Sequence, residues 1–283
     1  MPRKASGEAL LNIVKQYFET ADEEWLLDKI TRVVREKSSR ELFMSFSLSG
    51  SKLKDKERQW NLESNEVIPQ FLVERGATEL EVGRITLLAM AIESDSKFFV
   101  SKVQQLLQIT DSKELVTILK YLVLLPESEK FKNAAVEALR TNISDVFDAI
   151  ALNNPYPADY FNEQQWNQMY LKAAFMQRDL SKISGTDSRA NKELARIISD
   201  YAHERWAASR EIDPKIWRPV SNFLEGALLD DVKRLFESDN PSENGAAALV
   251  CHHSALEEAK TLLQEYPQHK LAIEQQRLTW NTI

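Results

Sequence analysis

Arg189-Ala-Asn-Lys-Glu-Leu-Ala-Arg-Ile-Ile-Ser-Asp-Tyr-Ala-His-Glu-Arg-Trp-Ala-Ala-Ser-Arg210 is the stretch around which the chain is organised. Stepped at about 100° per residue, Ala190, Leu194, Ile197, Ile198, Tyr201 and Ala208 share one apolar arc. Arg189, Lys192, Glu193, Arg196, Asp200 and His203 take the opposite arc. The pattern predicts a long amphipathic helix, entered at Thr186-Asp187 and closed before Asp213-Pro214. Asn191 and Arg205 fall inside the apolar arc. A buried amide or guanidinium is costly unless its donors are satisfied, so both are predicted to be partnered, by the chain or by a ligand.

Upstream, Asn162 with Gln165 gives a capping-box spacing, and Phe161 is placed to staple against Trp166. The helix they start, 163–178, carries apolar residues almost all round, which predicts the most buried helix of the protein with Phe175 in the core. Before it, Asn154-Pro-Tyr-Pro-Ala-Asp-Tyr-Phe161 reads as a rigid connector whose prolines hold Asn154 and Tyr156 in extended backbone. Downstream, Asp213-Pro214 and Asn240-Pro241 each pair a cap residue with proline at the first helical position.

From about Glu66 to Ala151 helical patterns recur roughly every sixteen residues. Asp95, Asp111 and Asn142 stand as N-caps, and Asp111 with Glu114 has capping-box spacing. Short loops between helices of similar length imply antiparallel neighbours. The fold class is therefore all-α: an antiparallel helical stack, read as an α-solenoid or HEAT-like right-handed array. Seven glycines and nine prolines leave little material for the turns of an all-β fold. Residues 1–60 are read as an N-terminal helical segment with a polar, exposed loop at 47–58, and 61–283 as the main helical domain, with one continuous domain as the alternative.

A formal charge of −7 argues against nonspecific binding to nucleic acid or an anionic membrane surface. No apolar run reaches the ~20 residues needed to cross a bilayer, and no apolar signal core follows the basic residues 1–4. The single cysteine, Cys251, fits a reducing compartment, and the predicted location is cytoplasmic.

Chemistry-bearing motifs are sparse. The sequence lacks a phosphate-cradling glycine loop, a G-x-S-x-G elbow and a His-Glu-x-x-His site. Asp200 and His203 share a helical face but read as part of a surface ion-pair ladder, and His252-His253 as incidental. Leu229-Asp-Asp-Val stops short of an aspartate-rich magnesium motif. No catalytic residue, metal or cofactor is predicted. The candidate ligand or partner junction is Asn154, Tyr156, Asp159, Asn191, Arg205 and Trp206. In it Arg205 offers a rigid donor fork to Asp159, Glu163 or connector carbonyls.

These segments also carry a resemblance. Asn154-Pro-Tyr-Pro157, Trp166-Asn-Gln-Met-Tyr-Leu-Lys172, Arg189-Ala-Asn-Lys-Glu-Leu-Ala195 and Asp200-Tyr-Ala-His-Glu-Arg-Trp-Ala-Ala208 resemble the EboA family, most strongly over 154–218. The resemblance implies an operon-encoded protein acting beside prenyltransferase-like and dehydroquinate-synthase-like partners. It also implies a role in moving secondary-metabolite precursors, such as the scytonemin monomer, from cytoplasm to periplasm. Ser209 stands where glycine is expected, a change predicted to lengthen the helix.

Two functions follow as expectations. One is a non-catalytic binding or adaptor protein whose partners are proteins of the same operon or a small apolar metabolite. The alternative is an enzyme acting on an apolar, terpenoid-like substrate in the helical core.

Overall fold

The computed structural model describes residues 7–57, 60 and 67–283. The basic residues 1–4, Arg58 in the polar segment and Glu66 lie outside the described residues. Regular structure among the described residues is helical, apart from one isolated antiparallel bridge between Glu57 and Thr78. The chain divides into two compact units, Met1–Tyr160 and Phe161–Ile283. No helix among the described residues is long and apolar enough to cross a membrane.

The first unit contains α1 (Gly7–Tyr17), α2 (Thr20–Glu36), α3 (Ser39–Lys52), α4 (Val67–Glu74) and α5 (Glu79–Ser94). It continues through α6 (Ser96–Ile109), α7 (Ser112–Lys120), α8 (Lys132–Ala138), α9 (Ser144–Ala151) and α10 (Tyr156–Tyr160). Its axis is α5, which is buried from Leu80 to Ile92 with little interruption. The helices α1, α2, α3, α6 and α7 all pack on it. Its start is fixed by a reciprocal capping box between Thr78 and Glu81. At Gly83 an added Cβ would lie 2.3 Å from Leu53 Cδ1, so glycine permits this close approach.

Three local readings change here. The polar segment is not all loop: α3 runs to Lys52, with Ser45 and Ser49 buried. Its serines are compatible with helix because their hydroxyls fold back on the preceding turn, Ser49 to the Phe46 carbonyl and Ser51 to that of Leu48. Asn142 does not cap α9; Ile143 takes the cap position without a side-chain bond. The Asn-Pro-Tyr-Pro segment is not wholly extended. Tyr156 opens the single turn of α10, and Pro157 fits because the first turn of a helix needs no N–H donor there.

The second unit contains α11 (Glu163–Phe175), α12 (Lys192–Ala207), a 3-10 helix (Pro214–Phe223), α13 (Ala227–Phe236), α14 (Pro241–His253), α15 (Glu257–Gln264) and α16 (Pro267–Glu274). Asn162 and Gln165 form the expected capping box of α11. Yet α11 is not the most buried helix, and Phe175 is 75% exposed. Its buried face is Trp166, Met169, Tyr170, Ala173 and Ala174, and Phe175 lies about half a turn away from it, at the last helical position. The inward run Gly245–Cys251 makes α14 the buried helix of this unit.

The central helix is shorter than its pattern, because the chain enters it at the Asn191 cap rather than at Thr186-Asp187. Its buried face is also rotated. Leu194, Ala195, Ile198, Ser199 and Ala202 face inward, while Ile197 and Tyr201 sit half-buried. Small residues on that side allow α13 and the 3-10 helix to approach. Ser209 does not lengthen the helix. It adopts φ +52°, with Ser209 N–H on the Trp206 carbonyl at 3.0 Å and Arg210 N–H on the Arg205 carbonyl at 2.9 Å. That bond pair is a Schellman termination with serine in the left-handed position.

Candidate functional site

In the first unit, Asn154 and Tyr156 are brought together and buried. Asn154 Nδ2 donates to the carbonyls of Leu119 (3.0 Å) and Ala149 (2.8 Å), and its Oδ1 accepts the Tyr156 N–H (3.0 Å). The Tyr156 hydroxyl donates to the Ser128 carbonyl at 2.7 Å, and burial pushes the phenol well above its usual range. Asn154 thus fastens α10 to the ends of α7 and α9. Asp159 is exposed.

In the second unit, Asn191 and Arg205 occupy opposite ends of α12. Asn191 Oδ1 accepts the Leu194 N–H at 2.8 Å, and its amide exchanges two hydrogen bonds with Asn167 (3.1 and 2.8 Å). Its place in the apolar arc is explained by capping and by this amide pair. Arg205 Nε and Nη2 both donate to the Glu211 carbonyl, at 3.1 and 2.5 Å, which braces the turn after the helix.

Trp206 belongs to a cluster that the sequence pattern does not reveal. It stacks on buried Trp217 (centroids 5.9 Å, 18° between planes), and the Arg234 guanidinium lies over it at 4.2 Å. His203 packs against the same indole at 5.5 Å. His203 does not continue the surface ladder, which ends with Arg196 between Glu193 and Asp200. Its Nε2 instead meets Asp231 Oδ1 of α13 at 2.5 Å, while Ser199 Oγ donates to Asp231 Oδ2 at 2.5 Å. The carboxylate lies between serine and histidine, so Ser199 is not arranged as a nucleophile activated by imidazole. Among the described residues no group of three or more His, Cys, Asp or Glu side chains is placed to hold a metal.

Two clefts border α7. One, of about 530 Å³, includes Arg84 and Glu114. Arg84 is buried and donates to Ser49 Oγ (3.0 Å) and to Glu114 (3.2 Å), which also accepts from Ser47 (2.8 Å). Burial lowers the Arg84 pKa, opposed by Glu114. Glu114 therefore does not complete the predicted capping box: Asp111 accepts its N–H at 2.9 Å, but its carboxylate turns inward to the guanidinium.

The other cleft, of about 790 Å³, is walled by α6, α7, α8 and α9. Its floor is Leu107, Leu115 and Val146. Its walls are Gln104 and Gln108, one turn apart on α6, and Ala134 and Ala138, one turn apart on α8. The small alanines and the brevity of α8 leave the space open. Thr110, whose N–H closes α6 on the Leu106 carbonyl at 3.1 Å, has a buried hydroxyl with no partner among the described residues. Such a group costs about 1–3 kcal/mol. The i,i+4 pairs of glutamine and alanine were legible in the sequence, but only the helix packing sets them across a gap.

No curated protein and no solved structure matches the chain. The family model described as metabolite traffic protein EboA matches residues 7–221, from the first residue of α1 into the 3-10 helix, and so takes in the N-terminal helices as well as the segments around the connector. With more than half of its length matched by that model, the chain belongs to the EboA family.

Proposed function

We propose that this protein is a non-catalytic carrier that holds a small metabolite in the α6–α9 groove for handling in the cytoplasm and delivery to an export step. The observation that carries the reading is the groove itself. It is concave, within the size range of small-molecule sites, floored by aliphatic side chains, and edged by a few neutral polar groups. The family description, metabolite traffic, is in keeping with it. We further propose that α5–α9 form a HEAT-like array. Support comes from the contacts of α5 with α7 and α7 with α9 in one row, and of α6 with α8 in the other. Arrays of this kind present extended binding surfaces. In this reading Trp206, with the Arg234 guanidinium over it, faces a partner protein of the same operon, since tryptophan and arginine are the residues that anchor interfaces.

The test incubates purified protein with small-molecule extract of the native host, isolates the protein by gel filtration, and identifies what it retains by mass spectrometry. The expected result is one retained metabolite of unchanged mass, lost from an Ala138→Trp variant that fills the groove and keeps its helical circular dichroism. Retention by that variant, or conversion of the metabolite to a new mass, would overturn the proposal.

A further inference from the structure

We infer that the α6–α9 groove selects uncharged ligands that combine an apolar body with a hydrogen-bond donor facing the Gln104 amide oxygen, and that it discriminates against anions. The inference rests on the reading of the groove as the metabolite site and adds the chemical class of what enters it.

Charge is the first ground. None of the residues lining the groove is a lysine, arginine or histidine, and its one ionic group is the Glu137 carboxylate. Glu137 faces Arg140 at 3.1 Å, but both side chains are largely solvated and Arg140 does not line the groove. An anion entering would leave water for a wall with no cation and one carboxylate, a transfer with no compensating interaction. Phosphorylated and diphosphorylated metabolites are recognised by arginine forks or lysines, and this lining supplies neither.

Hydrogen bonding is the second ground. Gln104 Nε2 is already committed to the Lys130 carbonyl at 2.8 Å, which fixes the amide and leaves its oxygen free to accept. A neutral ligand carrying an N–H or hydroxyl donates to that oxygen, while its apolar body covers Leu107, Leu115 and Val146. An entirely apolar ligand would strip water from the oxygen without replacing its hydrogen bond, so the groove favours amphipathic molecules over plain hydrocarbons.

The experiment compares two fluorescent probes that share one ring system. N-phenyl-1-naphthylamine is neutral and carries one N–H; 8-anilinonaphthalene-1-sulfonate is the same skeleton with a sulfonate. Titration of the full chain is expected to give at least tenfold tighter binding of the neutral probe. Glu137→Lys is expected to narrow that ratio several-fold by improving sulfonate binding. Gln104→Leu, which keeps size but removes the acceptor, is expected to weaken the neutral probe several-fold. Ala138→Trp is expected to abolish binding of the neutral probe. If Ala138→Trp leaves both affinities unchanged, the groove is not the site, and this inference falls with that reading. If Ala138→Trp abolishes binding but the wild-type chain takes the sulfonate as tightly as the amine, the site stands and the selectivity is overturned. A ratio unmoved by Glu137→Lys, or no binding of either probe to the wild-type chain, also overturns it.

Discussion

His203 of α12 meets Asp231 of α13 at 2.5 Å, and the second oxygen of that carboxylate holds Ser199 at the same distance. Asp231 and Ser199 are buried, whereas the imidazole is more than half exposed. One buried acid thus ties two helices through two donors. Asp231→Ala strands the buried Ser199 hydroxyl and unties His203, and is expected to cost about 2–3 kcal/mol in urea denaturation. The double variant Asp231→Leu with Ser199→Ala replaces the buried polar pair by apolar groups. It is expected to recover most of that loss. A double variant as unstable as Asp231→Ala would show that the bond network is not the source of the effect.

Asn154 and Asp159 share one short segment and differ in consequence. Asn154 makes three buried hydrogen bonds that join α7, α9 and α10. Asn154→Ala removes three buried hydrogen bonds, with an expected loss of about 3 kcal/mol. Asp159 is exposed, and Asp159→Ala should change stability by less than about 0.5 kcal/mol. Thermal unfolding of the two variants side by side checks both numbers.

Ser209 ends α12 at φ +52°, a conformation that L side chains resist and glycine adopts freely. Ser209→Gly is expected to stabilise the protein by about 0.5–1 kcal/mol, after allowing for the greater freedom of glycine in the unfolded chain. A lower melting temperature would contradict the assignment of serine to this cap.

Burial pushes the Cys251 thiol up to about 12. The folded state therefore favours the neutral thiol. Any stability linked to this group is full below the unfolded cysteine pKa and is lost as pH rises from there through the folded value. At pH 8 the thiolate fraction of the folded protein is on the order of 10⁻⁴. Labelling by a disulfide reagent should be slow in buffer and rapid in denaturant, with native labelling tracking the rate of unfolding. Fast native labelling would show that Cys251 is accessible.

The order of helices, most of their caps and the all-α class were legible in the chain, because caps and periodicity act within a few residues. Asn162 with Gln165, Asp95, Asp111 and Asn240 sit at helix starts as the pattern predicts. What one helix cannot encode is which side its neighbours press. Phe175 and Trp166 lie on the same helix and are equally apolar, yet one is 75% exposed and the other 0%. The pattern of α11 offers two apolar faces, and only packing selects between them.

The candidate residues divide along the same line. Asn191 and Arg205 stand out in the sequence as polar groups on an apolar arc, since an unsatisfied buried donor is costly wherever it lies. Their partners, the Asn167 amide and the Glu211 carbonyl, are choices of the folded chain. Asp231 reads in sequence only as part of an incomplete acidic motif, because an aspartate on an amphipathic helix looks solvated until Ser199 and His203 close over it. The α6–α9 groove is likewise a property of spacing between helices. Glutamines four apart and alanines four apart are ordinary in sequence. They become a binding wall only where tertiary packing holds α6 and α8 across an unfilled space.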